Sequence, residues 1–347
     1  MTRNMAATIV VPTIREPSIR TFLERWEPEF KGHRVIVVED NPTSTFVLPT
    51  WVEHYCWSDI DEQLQDRAWI IPRRSDCVRS FGYYLAAQEP CDFVLTIDDD
   101  CYPEDSYQPS FLVQIQAALD RRWEDDRWWS TIEGDVLPRG YPYEIRERSL
   151  ETVLHHGMWS NIPDLDAMTQ LRLPEHRTEP ARSVRRVPHG SFFPMCGMNI
   201  AFRPKVIPAL YFLLMGKDRD GKPWPFDRFG DIWAGLFAKK AADHLGFAVS
   251  SGAPSVFHSR ASNPEVNLVK ESPGYPVNEL LWRKVEAIGL TADTVAGCYL
   301  QIAEGLDLEG EYWDTLRSAM ATWASLFISG SLQARRRTRR RALNLAS

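Results

Sequence analysis

Three consecutive carboxylates, Asp98-Asp99-Asp100, stand where an apolar run, Asp92 to Ile97, comes to an end. Adjacent negative charges repel one another, so such a cluster persists best where a cation neutralises it. On extended backbone, residues two apart share a side, which lets Asp98 and Asp100 face one ion while Asp99 points elsewhere. Hard oxygen donors select Mg2+ or Mn2+, with a diphosphate completing the shell. A solvated acidic turn is the competing reading. Because the triplet ends a strand that reads as buried, the metal is favoured.

Three further residues extend this chemistry. His258 follows the apolar run Pro254 to Phe257 and offers a neutral imidazole as a late metal ligand, although a lone histidine more often serves structure. Arg139 stands beside Gly140 in Arg139-Gly140-Tyr141-Pro142. A permanent cation on a flexible turn suits a diphosphate or a developing negative charge, although on these residues alone an ordinary surface turn is the favoured reading. Asp231 falls in the first turn of a helical stretch, Gly230 to His244. There it can complement the helix dipole or move protons beside a sugar.

The elements that must position these groups follow from the pattern around them. Ala7 to Pro12 and Arg34 to Val38 are β-rich runs, the second leading into the turn signal Glu39-Asp40-Asn41-Pro42. Ser18 to Phe30 and Ser75 to Ala87 have helical periodicity, and Asp92 to Ile97 is a third strand. Such alternation predicts an α/β fold, a parallel sheet wrapped by helices. Ligands of these sheets bind beyond the carboxyl ends of strands, so Thr13, Asp40 and Asp98 to Asp100 are expected to share one crevice. Trp128 to Pro188 reads as irregular, in the way functional loops do. A strand-like stretch follows at Met198 to Phe202, and Asn278 to Ser329 reads as helices. The apolar part of that region, Tyr312 to Ile328, is expected to pack on the body or on another subunit, which keeps a homo-oligomer among the expectations.

Composition narrows the function classes. Hydrophobic residues at 44% and charged residues at 25% mark a globular chain, not a disordered one. The net charge is −7, but six arginines between Arg335 and Arg341 leave about −13 on the remainder. A body that acidic binds nucleic acid poorly, and the basic tail reads as a solvated, disordered end. The six cysteines form no CxxC pair and no zinc spacing, so they read as reduced thiols in a cytoplasmic protein. The N-terminus lacks a signal-peptide layout, and no apolar run approaches the ~20 residues that span a bilayer. Integral membrane association is not expected.

Longer words add a resemblance. IVVPTIRE (Ile9 to Glu16), TIDDDC (Thr96 to Cys101), RGYP (Arg139 to Pro142), HGMWSNIPDLDAMTQL (His156 to Leu171), FPMCGMNIAF (Phe193 to Phe202), DIWAGLFAKKAADHLG (Asp231 to Gly246) and HSRASNPEVNL (His258 to Leu268) occur in order. The chain resembles the reversibly glycosylated polypeptide family, whose plant members include UDP-arabinopyranose mutases. The resemblance implies a GT-A type, Rossmann-like fold: a mixed, mainly parallel sheet flanked by helices, with a C-terminal helical extension. Residues 5–260 would form the nucleotide-sugar-binding catalytic domain, 261–330 the extension and 331–347 the basic tail. It implies interconversion of pyranose and furanose forms of a nucleotide diphosphate sugar, with Mn2+ or Mg2+ and without a flavin. Arg139 takes the position of the family's self-glycosylated arginine and, with Asp231, becomes a catalytic candidate. Asp98, Asp100 and His258 become the metal candidates. Pro12, Thr13, Asp40, Asp59, Arg79, Asp98, Asp99, His156, Trp159, Asn199 and Trp233 are the implied nucleotide-sugar-binding residues.

There are departures. The family's paired acids are here Gly230-Asp231, so Asp231 would act alone. The segment after the second strand is one residue shorter, and Trp57 to Arg74 differs, which leaves a UDP sugar and a GDP sugar both open. The expected course is cleavage of the C1–oxygen bond near Arg139, ring opening and reclosure, and renewed attack by the diphosphate, with Asp231 shuttling the proton. A guanidinium with a pKa above ~12 is a poor nucleophile, so an electrostatic role for Arg139 is the easier one. A glycosyltransferase, self-glycosylating included, and a non-catalytic subunit of a mutase complex are the alternatives.

Overall fold

The computed structural model describes residues 5–104, 109–125, 127–134, 136–146, 148–259 and 262–328. The basic tail, 331–347, lies outside these described residues. Among them are ten strands: β1 (Ala7–Thr13), β2 (Arg34–Glu39), β3 (Val52–Tyr55), β4 (Phe93–Ile97), β5 (Cys101–Tyr102), β6 (Arg122–Glu124), β7 (Ser149–Asn161), β8 (Val184–Val187), β9 (Asn199–Phe202) and β10 (Ala248–His258). One mixed sheet runs in the order β3-β2-β1-β4-β9-β7-β10-β5, with β6 beside β7 and β8 beside β10. Strands β3, β2, β1 and β4 are mutually parallel. Strand β9 runs against both β4 and β7, and β10 runs with β7. As a result β1, β2, β4, β7 and β10 all end on one edge of the sheet.

Both faces are covered, which is why β1, β2 and β4 read as unbroken apolar runs. Ile9, Val11, Val35, Val37, Phe93 and Leu95 face one core, under helices Glu16–Phe30 and Phe111–Asp120. Val10, Ile36, Val38 and Val94 face the other, with helices Arg79–Ala86 and Gly230–His244 and the C-terminal helices. The sheet flanked by helices, with a helical C-terminal extension, is the fold class the sequence implies. Of the two packings expected for the last helix, Glu311–Ser325, the structure shows the first. Trp313, Leu316, Met320 and Trp323 are buried against the body, and Tyr312 donates to the Leu214 carbonyl at 3.0 Å.

One expectation is corrected. The region from Trp128 to Pro188, read as irregular, contains the longest strand among those described, the 13-residue β7. Its apolar pattern is interrupted by His155, His156 and Gly157, yet all three belong to the sheet. The histidine Nδ1 atoms meet Ser250 and Ser251 of β10 at 2.9 and 3.2 Å, and burial lowers the two pKa values to about 3 and about 4. These rings are neutral and behave as core. A Cβ on residue 157 would sit 2.2 Å from Asn199 Nδ2, so only glycine fits. A smaller difference concerns Ser75 to Ala87, where a 3-10 turn, Asp76–Val78, precedes helix Arg79–Ala86 and brings Asp76 to the edge where the parallel strands end. All six cysteines are free, and no helix among the described residues is long and apolar enough to cross a membrane.

Candidate active site

A cleft of about 830 Å3 opens at the edge where the parallel strands end. Beside it lies a recess of about 230 Å3 lined by Pro12, Thr13, Asp40 and Asp98 to Asp100. The crevice inferred from strand ends therefore exists, and it holds those residues together.

Strand β4 stops at Ile97 and the chain resumes as β5 at Cys101, so the acidic triplet forms a turn between two buried strands. Asp99 points inward, where Thr13 Oγ1 donates to it at 2.6 Å and Arg15 at 3.0 Å. Asp98 and Asp100 face the cleft. Burial, followed by the neighbouring Asp98 charge, raises the pKa of Asp100 to about 6. Pairing of β5 with β10 sets Cys101 opposite His258, which brings His258 Nε2 to 3.9 Å from Asp100 Oδ1. The other ring nitrogen, Nδ1, lies 2.7 Å from the Ile162 carbonyl. A carbonyl only accepts, so in the neutral ring Nδ1 carries the proton and Nε2, on the Asp100 side, is the nitrogen that can offer a lone pair. That tautomer is the one a metal ligand needs.

Asp231, half-buried in the cleft wall, accepts from the Gly197 amide at 2.7 Å and from the Ile232 amide at 2.8 Å. Its pKa is raised to about 8, by burial first and then by Asp76 and Asp164. The latter two carboxyls line the same cleft and are themselves raised, chiefly by burial. Neither was singled out in the sequence. Asp164 sits inside one of the matched words, but nothing along the chain shows that residues 76, 164 and 231 meet. Gly230 acquires a physical reason as well. A Cβ there would lie 2.2 Å from Cys77 Sγ, so the thiol fills the space an acid would take, while adjacent Asp76 faces the cleft.

Arg79 is fully buried and lines neither cavity. It pairs with Asp98 and donates to Thr96 Oγ1 at 3.1 Å and to the Gly197 carbonyl at 2.7 Å. One cation is thus tied to Asp98 directly and to Asp231 through the backbone of Gly197. The expected ligand contact is replaced by a bracing role. Asp40 is similar: it borders the recess but accepts from Trp57 Nε1 at 2.7 Å, Arg74 N at 3.0 Å and Ser75 N at 2.9 Å.

Several other expected ligand residues lie away from both cavities. Asp59 accepts from the Cys56 amide at 2.7 Å and caps helix Trp57–Leu64. His156, through Nε2, accepts from the Cys196 amide at 3.1 Å. Asn199 donates to the carbonyls of Met158 and Pro254 at 3.0 and 3.1 Å. Trp159 is buried beside His156, and Trp233 donates to Asn278 at 2.7 Å inside the core. These residues shape the strands and helices behind the cleft. Arg139 is exposed on a turn that precedes β7. Strand β7 begins ten residues later, at Ser149, and its far end, Asn161, lies beside His258 of the cleft. Arg139 lines neither cavity.

A family profile described as "Reversibly glycosylated polypeptide" matches residues 3–330. UDP-arabinopyranose mutase 1 of Arabidopsis thaliana is 37% identical over 333 residues, covering 91% of this chain and 90% of that protein. The protein of the same name from Oryza sativa subsp. japonica is also 37% identical, covering 91% and 88%. Among solved structures, S. aureus TarS 1-349 superposes with a TM-score of 0.38 at 10% identity, covering 95% of this chain and 91% of that one. That likeness is too remote to bear on the chemistry.

Proposed function

The chain belongs to the reversibly glycosylated polypeptide family, and from that premise we propose that it interconverts the pyranose and furanose forms of a nucleotide diphosphate sugar in this cleft. The observation that carries the reading is the pairing of two functions in one cavity. A carboxyl that keeps its proton near neutral pH, Asp231, shares the cleft with donors suited to a cation, Asp98, Asp100 and His258.

Among the described residues no three His, Cys, Asp or Glu side chains close a metal site unaided. Oxygens of the diphosphate are then needed to complete the shell, as is usual for Mg2+ and Mn2+ on nucleotides. Asp98, Asp100 and His258 Nε2 would hold the ion, and when bound it stabilises the departing diphosphate. The chain itself supplies proton handling. Exchanging one ring oxygen for another at C1 requires a proton placed on the oxygen that leaves and one removed from the oxygen that attacks. With a pKa of about 8, Asp231 can do both near neutral pH. Six free cysteines suit a reducing, cytoplasmic setting.

The test is a thermal-shift panel of UDP, GDP and dTDP sugars with Mn2+, with and without EDTA, followed by product analysis from a single labelled nucleotide sugar. Because the named relatives act on UDP-arabinopyranose, that sugar is expected to raise the melting temperature and yield its furanose isomer. Ligand at a hundred times its Kd stabilises by about 2.7 kcal/mol. His258→Ala should abolish the EDTA-sensitive part of the shift. If no nucleotide sugar both stabilises the protein and is isomerised, the proposal fails.

A further inference from the structure

We propose that Arg177 holds the nucleotide diphosphate in the cleft while the freed sugar opens and recloses. The inference rests on the mutase reading above and deepens it by assigning a residue to retention of the leaving group. Isomerisation asks something of a site that hydrolysis does not. When the C1–oxygen bond breaks, its electron pair leaves with the diphosphate, and the same oxygen must return that pair to C1 once the ring has reclosed. In between, no covalent bond joins the two halves. A diphosphate that escapes gives free nucleotide, and water adding to C1 with loss of a proton gives free sugar.

Arg177 comes from a loop that is tied down at its neck and in its middle. At the end of β7 the chain turns out through Asn161, whose φ of 66° lies in the left-handed region that asparagine tolerates. It returns at Thr178, where the two backbones exchange hydrogen bonds of 2.8 and 2.9 Å. Midway, the Ala167 amide donates to buried Glu271 at 2.8 Å. The neck is fastened to His258: Asn161 Nδ2 donates to the His258 carbonyl at 2.8 Å, and His258 Nδ1 to the Ile162 carbonyl at 2.7 Å. In register, Cys101, His258, Asn161 and Thr178 form one row across the sheet. Two strand spacings, about 10 Å, therefore separate His258 from the residue that follows Arg177. Both His258 and Arg177 line the cleft.

Among the cations of the cleft wall, Arg177 is the one left for an anion at this end. Arg15 pairs with Asp99 and Asp100, Arg228 with Glu271, and Lys270 with Asp227. Arg74 is engaged elsewhere: its guanidinium lies 5.0 Å from the Trp57 ring centroid and donates to the Asp40 carbonyl and Asn41 Oδ1, both at 3.3 Å. Those contacts hold it at the border with the smaller recess, which Arg177 does not line. Arg177 Nη1 donates to two carbonyls of its own loop, Pro174 at 3.1 Å and His176 at 2.8 Å. Among the described residues its side chain pairs with no carboxylate, so its charge is uncompensated until a ligand arrives. A cation at Asp98 and Asp100 is partly offset by those carboxylates themselves, which makes a second, unshared charge beside them the stronger hold on a diphosphate. A planar guanidinium also meets phosphate oxygens with two parallel donors.

The partition between isomer and hydrolysis tests it. Wild type and variants receive labelled UDP-arabinopyranose, or the nucleotide sugar that the panel above selects, and isomer formed is counted against free sugar released. Arg177→Ala should bind the matching nucleoside diphosphate about ten- to a hundredfold more weakly and lower the ratio of isomer to free sugar by about tenfold or more. Two further variants separate charge from bracing of the loop. Arg177→Gln keeps amide donors for the Pro174 and His176 carbonyls but carries no charge, and should behave as Arg177→Ala does. Arg177→Lys keeps the charge without the fork and should recover part of the ratio. Without ligand all three should melt as the wild type does, because the side chain is exposed. A wild-type ratio in Arg177→Gln, unchanged diphosphate affinity in Arg177→Ala, or slower turnover at an unchanged ratio with a lowered melting temperature would each overturn the inference. Failure of the wild type to isomerise any nucleotide sugar would instead remove the mutase reading beneath it.

Discussion

Asp231→Asn separates the proton held by this cleft from everything else about it. In the folded chain the Asp231 carboxyl has its pKa raised from the ordinary 3.8 to about 8, so between those values the folded state keeps a proton that the unfolded state has released. For an acid shifted in this direction, stability is lost as pH rises from the unfolded value toward the folded one. Each unit of difference corresponds to about 1.4 kcal/mol, so between pH 6 and pH 8 this group removes about 2 kcal/mol from the wild type. Asparagine retains an acceptor for the Gly197 amide and does not titrate. Urea unfolding at pH 6, 7 and 8 should therefore show the variant gaining on the wild type by about 2 kcal/mol across that range, at an unchanged m-value. Turnover should fall sharply at all three pH values, because the amide cannot release a proton. Parallel stability profiles for the two proteins would refute the reasoning, since they would mean that Asp231 is ionised in the folded chain at pH 6.

Two other perturbations probe the packing behind the site. Gly230→Ala puts a methyl 2.2 Å from Cys77 Sγ and should cost about 1–3 kcal/mol, with Cys77→Ala in the same chain restoring most of it in a double-mutant cycle. Arg79→Met strips the buried cation from Asp98 and Asp76 and should cost about 3–5 kcal/mol at pH 7. That loss should shrink at pH 5, where the stranded carboxyls can take up protons, and calorimetry at the two pH values measures the difference.

The half of the fold nearest the N-terminus was legible because β1, β2 and β4 are buried on both faces, and β2 and β4 run into acids. Strands β1, β2 and β4 announce themselves by apolar runs, and the side-by-side exposure of Asp98 and Asp100 followed from simple alternation. Strand β7 did not, because a histidine pair looks like chemistry until Ser250 and Ser251 are seen opposite it. The resemblance implied ligands in His156, Asn199 and Trp233, whose Nε2, Nδ2 and Nε1 atoms are hydrogen-bonded inside the protein. Conversely, Asp76 and Asp164 pass for ordinary surface acids in the sequence. Their significance is positional: three carboxyls on separate elements meet in one cavity, and no spacing along the chain encodes that. The tautomer of His258 likewise depends on the Ile162 carbonyl, a contact made only when β7 and β10 end together.

The peptide at Gly197 has an outcome for how the cleft responds to its contents. The carbonyl of Gly197 accepts from Arg79 and its N–H donates to Asp231, so two successive peptide units, joined at one Cα, run from the guanidinium to the carboxyl. A Cβ at this position would lie 3.2 Å from Arg79 Nη1 and from Phe212 Cε2, a tight fit that the bare backbone avoids. Any charge that arrives beside Asp98 draws on the same guanidinium that leans on this amide. Asp98 and Asp231 therefore share one buried cation, Arg79, through a direct pairing on one side and the Gly197 backbone on the other, so a change at Arg79 reaches both carboxyls at once.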